Sequence, residues 1–245
     1  MNMNMNMAMG TAPTWLTIAG WIITWTGFVV AAMMIVDIYV RGYRQPERAM
    51  EAVWPITAVY SGPLALWAYY KWGRPLTTKW QEQQQRSPQW GLGVTAVTQT
   101  IAGGAASFIG HTLAVPLVMW TGWTIAGKHV WAMILLIAVF ALPLLIGFEY
   151  RSLADQIPSK ARRLQMAVRI SVLAILAFDL GMGAIMVLVA FVLHYGPTTA
   201  AFWLLMWVGM WLGFATAYPM VWRLLARNAP EPVQATRTAD PSRTG

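Results

Sequence analysis

Apolar positions run along this chain in long unbroken stretches, without strand alternation or the one-sided stripe of a surface helix. The first stretch extends from Trp15 to Val40 and meets no charge before Asp37. The second, Val53 to Tyr70, is shorter and is interrupted by Pro55 and by Gly62-Pro63. The third runs from Trp90 to Ala126 with no charged residue. Three more follow: Val130 to Phe148, which contains Pro143, then Ile170 to Tyr195 and Thr199 to Trp222. A helix needs about 20 apolar residues to cross a hydrocarbon core about 30 Å thick. Continuous apolar runs fit helices, because barrel strands alternate between lipid-facing and lumen-facing residues. The pattern predicts an all-α polytopic helical membrane bundle with about six membrane-embedded helices over residues 15–227. A Met/Asn-rich segment, 1–14, precedes it and a polar tail, 228–245, follows. The third run would measure about 55 Å as one helix. It is therefore expected either to project from the bilayer or to bend or break between Gly103 and Pro116.

Composition agrees with the pattern. The chain is 58% hydrophobic and 11% charged, against about 45–50% and about 25% for a soluble globular protein. Mean hydropathy is +0.50. Cysteine is absent, which excludes disulfides, thiolate metal sites and cysteine nucleophiles. The net charge of +8 sits in clusters between the apolar runs, which reads as loops beside a membrane and not as a nucleic-acid surface.

Those clusters bear on orientation. Arg151, Lys160, Arg162, Arg163 and Arg169 share one loop, Lys71, Arg74, Lys79 and Arg86 lie in another, and Arg223 and Arg227 follow the last run. The positive-inside rule places all of these, and the C-terminus, in the cytoplasm. Six crossings would leave Arg41, Arg44 and Arg48 outside. A second segment that re-enters without crossing would bring them inside and move the N-terminus out. Met1 to Gly10 carries no positive charge and the first run is too long for a cleaved leader, so it reads as an uncleaved span.

Few residues in the apolar runs carry chemistry. Asp179 falls near the middle of the fifth run, where a charge costs about 2.5–3.5 kcal/mol on insertion scales and is expected to face the bundle interior. Met182 and Met186 follow on the same helical face, giving a carboxylate–thioether path for a soft cation or a proton. His111 shares a face with Gly103 and Ser107, a small-residue stripe that brings helices close, so it is expected to be buried against another helix. His129 and His194 open the fourth run and close the fifth, and both are expected at the same surface, where two imidazoles form a candidate metal pair. Met206 and Met210 are one helical turn apart beside a Gly209–Gly213 stripe. Thioethers at that spacing select Cu(I), and Met is equally an adaptable packing residue. Met1, Met3, Met5, Met7 and Met9 alternate mostly with Asn and form another candidate collector of Cu(I) or Ag(I). Phosphate loops, zincin motifs and nucleophile elbows are absent, so no catalytic constellation is recognisable. Most tryptophans fall near span ends, as in interfacial belts.

Three stretches carry a family resemblance. Trp54-Pro55-Ile56-Thr57-Ala58 continues through Tyr60, Gly62-Pro63, Trp67, Tyr69-Tyr70-Lys71 and Gly73-Arg74. The others are Ala177-Phe178-Asp179-Leu180-Gly181-Met182, and Gly213-Phe214 with Tyr218-Pro219 and Trp222. Together, over roughly Arg41 to Arg223, the chain resembles the bacterial membrane-protein family termed domain of unknown function 4396. That resemblance implies a helical fold in the bacterial inner membrane and a link to metal handling, often copper. The family's His/Cys motif corresponds here to Ala106-Ser107-Phe108-Ile109-Gly110-His111-Thr112-Leu113. Both cysteines and a following Asp are missing, and His111 stands where the second cysteine would be.

Two functions remain open at this point. One is handling or transport of a metal ion, Cu(I) the leading candidate. The other is a non-catalytic accessory subunit of a larger respiratory or photosynthetic membrane complex, consistent with few ionisable groups and many packing residues. Lipid is the expected partner in both, with other subunits or a homo-oligomer as protein contacts and no nucleic acid.

Overall fold

The computed structural model describes residues 12–154 and 157–228. Most of the Met/Asn-rich segment, the C-terminal tail and Asp155 lie outside the described residues. The first helix, α1 (Thr14–Ile35), continues through a wider π turn at Val36–Val40. Then come α2 (Arg48–Ser61), α3 (Pro63–Ala68) and α4 (Thr78–Gln84). Four long helices follow: α5 (Leu92–Thr121), α6 (His129–Ser152), α7 (Lys160–Leu188, extended by a π turn to Leu193) and α8 (Ala200–Asn228). No strand occurs among the described residues beyond an isolated bridge between Ile125 and Lys128. The fold is a helical membrane bundle, and five of its helices are long and apolar enough to cross a membrane.

Helices α5 to α8 close into a ring, each packed against the next and α8 against α5. Small residues set that packing. A Cβ on Gly209 of α8 would lie 2.5 Å from the Met182 sulfur of α7, and one on Gly181 would strike the backbone of Leu212. The Gly209–Gly213 stripe thus works as a close-contact seam. Helix α1 lies against α2 and α8, outside the ring.

The second apolar run is not one continuous helix. Gly62 takes φ 52° and ψ −131°, a conformation closed to residues with a Cβ. It ends α2, and Pro63 opens α3 at its first position. The chain then doubles back. Trp54 of α2 packs edge-on against Tyr69, with ring centroids 5.6 Å apart, and its indole fills the space a Cβ on Gly73 would need. The tip reaches mid-depth, since the Val59 carbonyl abuts Gly27 at the centre of α1 and Gly62 faces Thr26. The bundle therefore has five helices long and apolar enough to cross a membrane and one hairpin that doubles back, the arrangement expected of a re-entrant second segment.

Helix α5 departs from expectation in another way. It is unbroken from Leu92 to Thr121, Gly103, Gly104, Gly110 and Pro116 included. At 30 residues it is about 45 Å long, shorter than the charge-free run. The run's last residues form a loop after Gly122, whose φ of 67° caps the helix. The glycines serve contact, not bending. A Cβ on Gly104 would sit 2.7 Å from the Tyr60 hydroxyl, and one on Gly110 would sit 2.7 Å from the Ile137 carbonyl oxygen.

With the hairpin returning, one end of the bundle gathers nearly all the charge. Residues 41–48, 71–92 and 151–169 and the end of α8 lie there, while 122–128 and 194–199 lie at the other end. Burial raises the Glu47 carboxyl above its ordinary range and the nearby Arg151 guanidinium opposes part of the rise, which joins the 41–48 loop to the end of α6. Among the described residues, Lys128 is the one Lys or Arg at the opposite end.

Candidate functional site

In the half away from the basic end, α5, α6 and α7 line a small, partly open cavity. Its walls are His111, Ile134, Ile137, Asp179, Met182, Gly183 and Met186. The volume is about 10 Å³, close to the minimum for one water-sized sphere. His111 lines this one space together with Asp179, Met182 and Met186, which the sequence places on a single helical face.

His111 is 3% exposed. Its Nδ1 lies 2.8 Å from the Ser107 carbonyl oxygen one turn back. A carbonyl only accepts, so Nδ1 carries the proton and Nε2 presents a lone pair. That Nε2 is buried and has no hydrogen-bond partner. A buried acceptor left unpaired costs about 1–3 kcal/mol. The tautomer held by Ser107 is the one that ligates a metal or takes up a proton.

Asp179 is half-buried on α7, one turn before Met182. Met182 and Met186 are buried, 1% and 5% exposed. Gly209 of α8 leaves room for the Met182 sulfur. Met206 and Met210 are buried in the same apolar cluster as Met182 and Met186 but do not line the cavity. Met210 instead walls a separate groove between the hairpin, α5 and α8.

His129 and His194 stand at the end of the bundle opposite the basic loops. Nδ1 of His129 lies 2.9 Å from the Trp123 carbonyl oxygen, and Nδ1 of His194 lies 3.1 Å from that of Val192. Each ring is held by its own loop, and the contacts do not join them. Among the described residues no group of three or more His, Cys, Asp or Glu converges. A ligand set here must draw on thioethers.

Sequence reasoning missed an ionic cluster at the foot of the hairpin. Asp37, 1% exposed, accepts a hydrogen bond from the Tyr69 hydroxyl at 2.9 Å and pairs with Arg74 at 3.1 Å and Arg41 at 3.5 Å. The Arg74 guanidinium also stacks 3.7 Å from the Tyr43 ring centroid. The available signal was a carboxylate four residues before Arg41, at the end of an otherwise uncharged run. Two further carboxylates went unnoticed: Glu51, 5% exposed and bonded to Arg44 at 2.8 Å, and Glu149, 3% exposed near Glu47.

This architecture defines a helical membrane protein with a small His–Asp–Met cavity lined by three helices of a four-helix ring. A family model, domain of unknown function 4396, matches residues 93–229, and the chain belongs to that family. The match covers α5 to α8, and with them the whole cavity and two of the three resembling stretches. The Trp54 to Arg74 stretch, α1 and the hairpin lie before the matched residues. No curated protein and no solved structure matches the chain.

Proposed function

We propose that this chain is a bacterial inner-membrane protein that binds and passes a soft monovalent cation, Cu(I) first, at His111, Asp179, Met182 and Met186. The observation that carries the reading is the unpaired, buried Nε2 of His111 in a cavity shared with a carboxylate and two thioethers. Imidazole and thioether together suit Cu(I) and Ag(I). Charge balance points the same way. One carboxylate neutralises one positive charge, whereas a divalent ion would leave a net charge in a low-dielectric interior. The cavity's size favours a bare ion over a hydrated one. Orientation follows from charge, with the basic end and the C-terminus in the cytoplasm and the N-terminus outside.

The test is Ag(I) binding to detergent-purified protein by equilibrium dialysis. Wild type should bind one more ion per chain than Asp179→Asn or His111→Leu, with folded yield unchanged. Equal binding by all three would overturn the site. If Asp179→Asn leaves metal content untouched but releases copurifying chains, the accessory-subunit reading replaces it.

A further inference from the structure

A larger cavity lies away from the cation site, between the hairpin, α5 and α8. It has a volume of about 180 Å³ and is lined almost wholly by apolar side chains, among them Leu64, Trp67, Trp72, Ile101, Trp211 and Phe214. Its rim faces the outside of the bundle, since Leu64 is 48%, Trp67 49% and Trp211 39% exposed. Its floor is at mid-depth, where Tyr60 meets Gly104 and donates to Thr57 at 3.4 Å. From there the groove climbs along α3 toward the basic end. Lys71 sits at the upper mouth, its ammonium 4.7 Å from the Trp67 ring centroid and 5.7 Å from that of Trp72. Arg74, the next cation, is taken by Asp37. No carboxylate pairs with Lys71 among the ion pairs of the described residues.

We infer that this groove holds one acyl chain of an anionic phospholipid from the leaflet at the basic end, with the lipid phosphate on Lys71. The depth matches: hydrocarbon lies along α3 and the headgroup falls at the level of the π turn at Tyr69–Gly73. Charge matches as well. A cation held over two indoles at the headgroup level lacks an anion, and the leaflet supplies one. Size decides against an enclosed small molecule, because such sites run about 300–1,000 Å³ and bury most of their ligand. A half-open trough suits a chain whose other face stays in lipid. The inference does not depend on the cation reading, since the two cavities share no lining residue.

The test is native mass spectrometry of the full chain released from nanodiscs of phosphatidylglycerol and phosphatidylcholine in equal amounts. Wild type should retain one phosphatidylglycerol per chain. Lys71→Ala should keep a bound lipid but lose the preference for phosphatidylglycerol by about fivefold, the effect of one lysine at an anionic surface. Ser61 also lines the groove, and Ser61→Phe, which puts a ring into it, should retain neither lipid. Equal preference in wild type and Lys71→Ala would overturn the headgroup contact. Equal retention in wild type and Ser61→Phe would overturn the groove as the binding place. A lipid-free dimer, or another apolar molecule bound to wild type, would overturn the lipid as occupant.

Discussion

The Tyr69 hydroxyl donates to Asp37 Oδ2 at 2.9 Å, joining the returning limb of the hairpin to the end of the first span across 32 positions. Arg74 completes the latch at 3.1 Å from the same oxygen. Tyr69→Phe removes one hydrogen bond to a charged group and should cost about 1.5–3 kcal/mol. Asp37→Ala leaves Arg74 without its counter-charge and should cost more, about 3–5 kcal/mol. Thermal unfolding in detergent measures both. Unchanged midpoints would mean that the hairpin is held by packing alone.

Topology has a direct test, because the chain has no cysteine. Pro46→Cys, Ser87→Cys and Ser159→Cys should label from one face of the membrane, and Thr124→Cys and Thr198→Cys from the other. Pro46→Cys decides between the alternatives. In a six-crossing protein it would label opposite Ser87→Cys.

Gly62→Ala forces a Cβ into φ 52°, ψ −131° at the hairpin tip and should cost about 1–3 kcal/mol. Gly147→Ala is the control, since a Cβ there meets nothing within 4 Å. It should leave stability unchanged or slightly raised, in line with the helix preference for Ala. Equal losses for both would show that the tip is not conformationally fixed.

Glu47 gives a pH dependence. Burial raises its pKa, so the folded protein holds this proton more tightly than the unfolded chain does. Its contribution is fully present below the ordinary carboxylate range and is lost as pH rises through the folded pKa. Glu47→Gln should therefore gain stability over wild type as pH rises, by no more than a few degrees in Tm. A constant difference across the range would show that Glu47 titrates normally.

Much of this was legible along the chain. Apolar runs marked the helices, and the Gly103–Ser107–His111 stripe correctly placed His111 in a helix contact. Met182 and Met186 were assigned to the face of Asp179 by spacing alone. What spacing could not convey was which helices meet. Met206 and Met210 have the same one-turn separation as Met182 and Met186, yet ring geometry turns them away from the cavity. The glycines of α5 looked like hinges because close contact and flexibility call for the same residue. The Asp37 latch pairs positions too far apart in sequence for any local pattern to reveal.

At the proposed site His111, and not either surface histidine, holds the cation together with thioethers. X-ray absorption at the copper edge of the Cu(I)-loaded protein measures this directly. Wild type should show one imidazole together with sulfur neighbours. His111→Leu should lose the imidazole signature, while His129→Leu and His194→Leu should keep it. An imidazole signature that survives in His111→Leu, or a wild-type spectrum without sulfur, would contradict the claim.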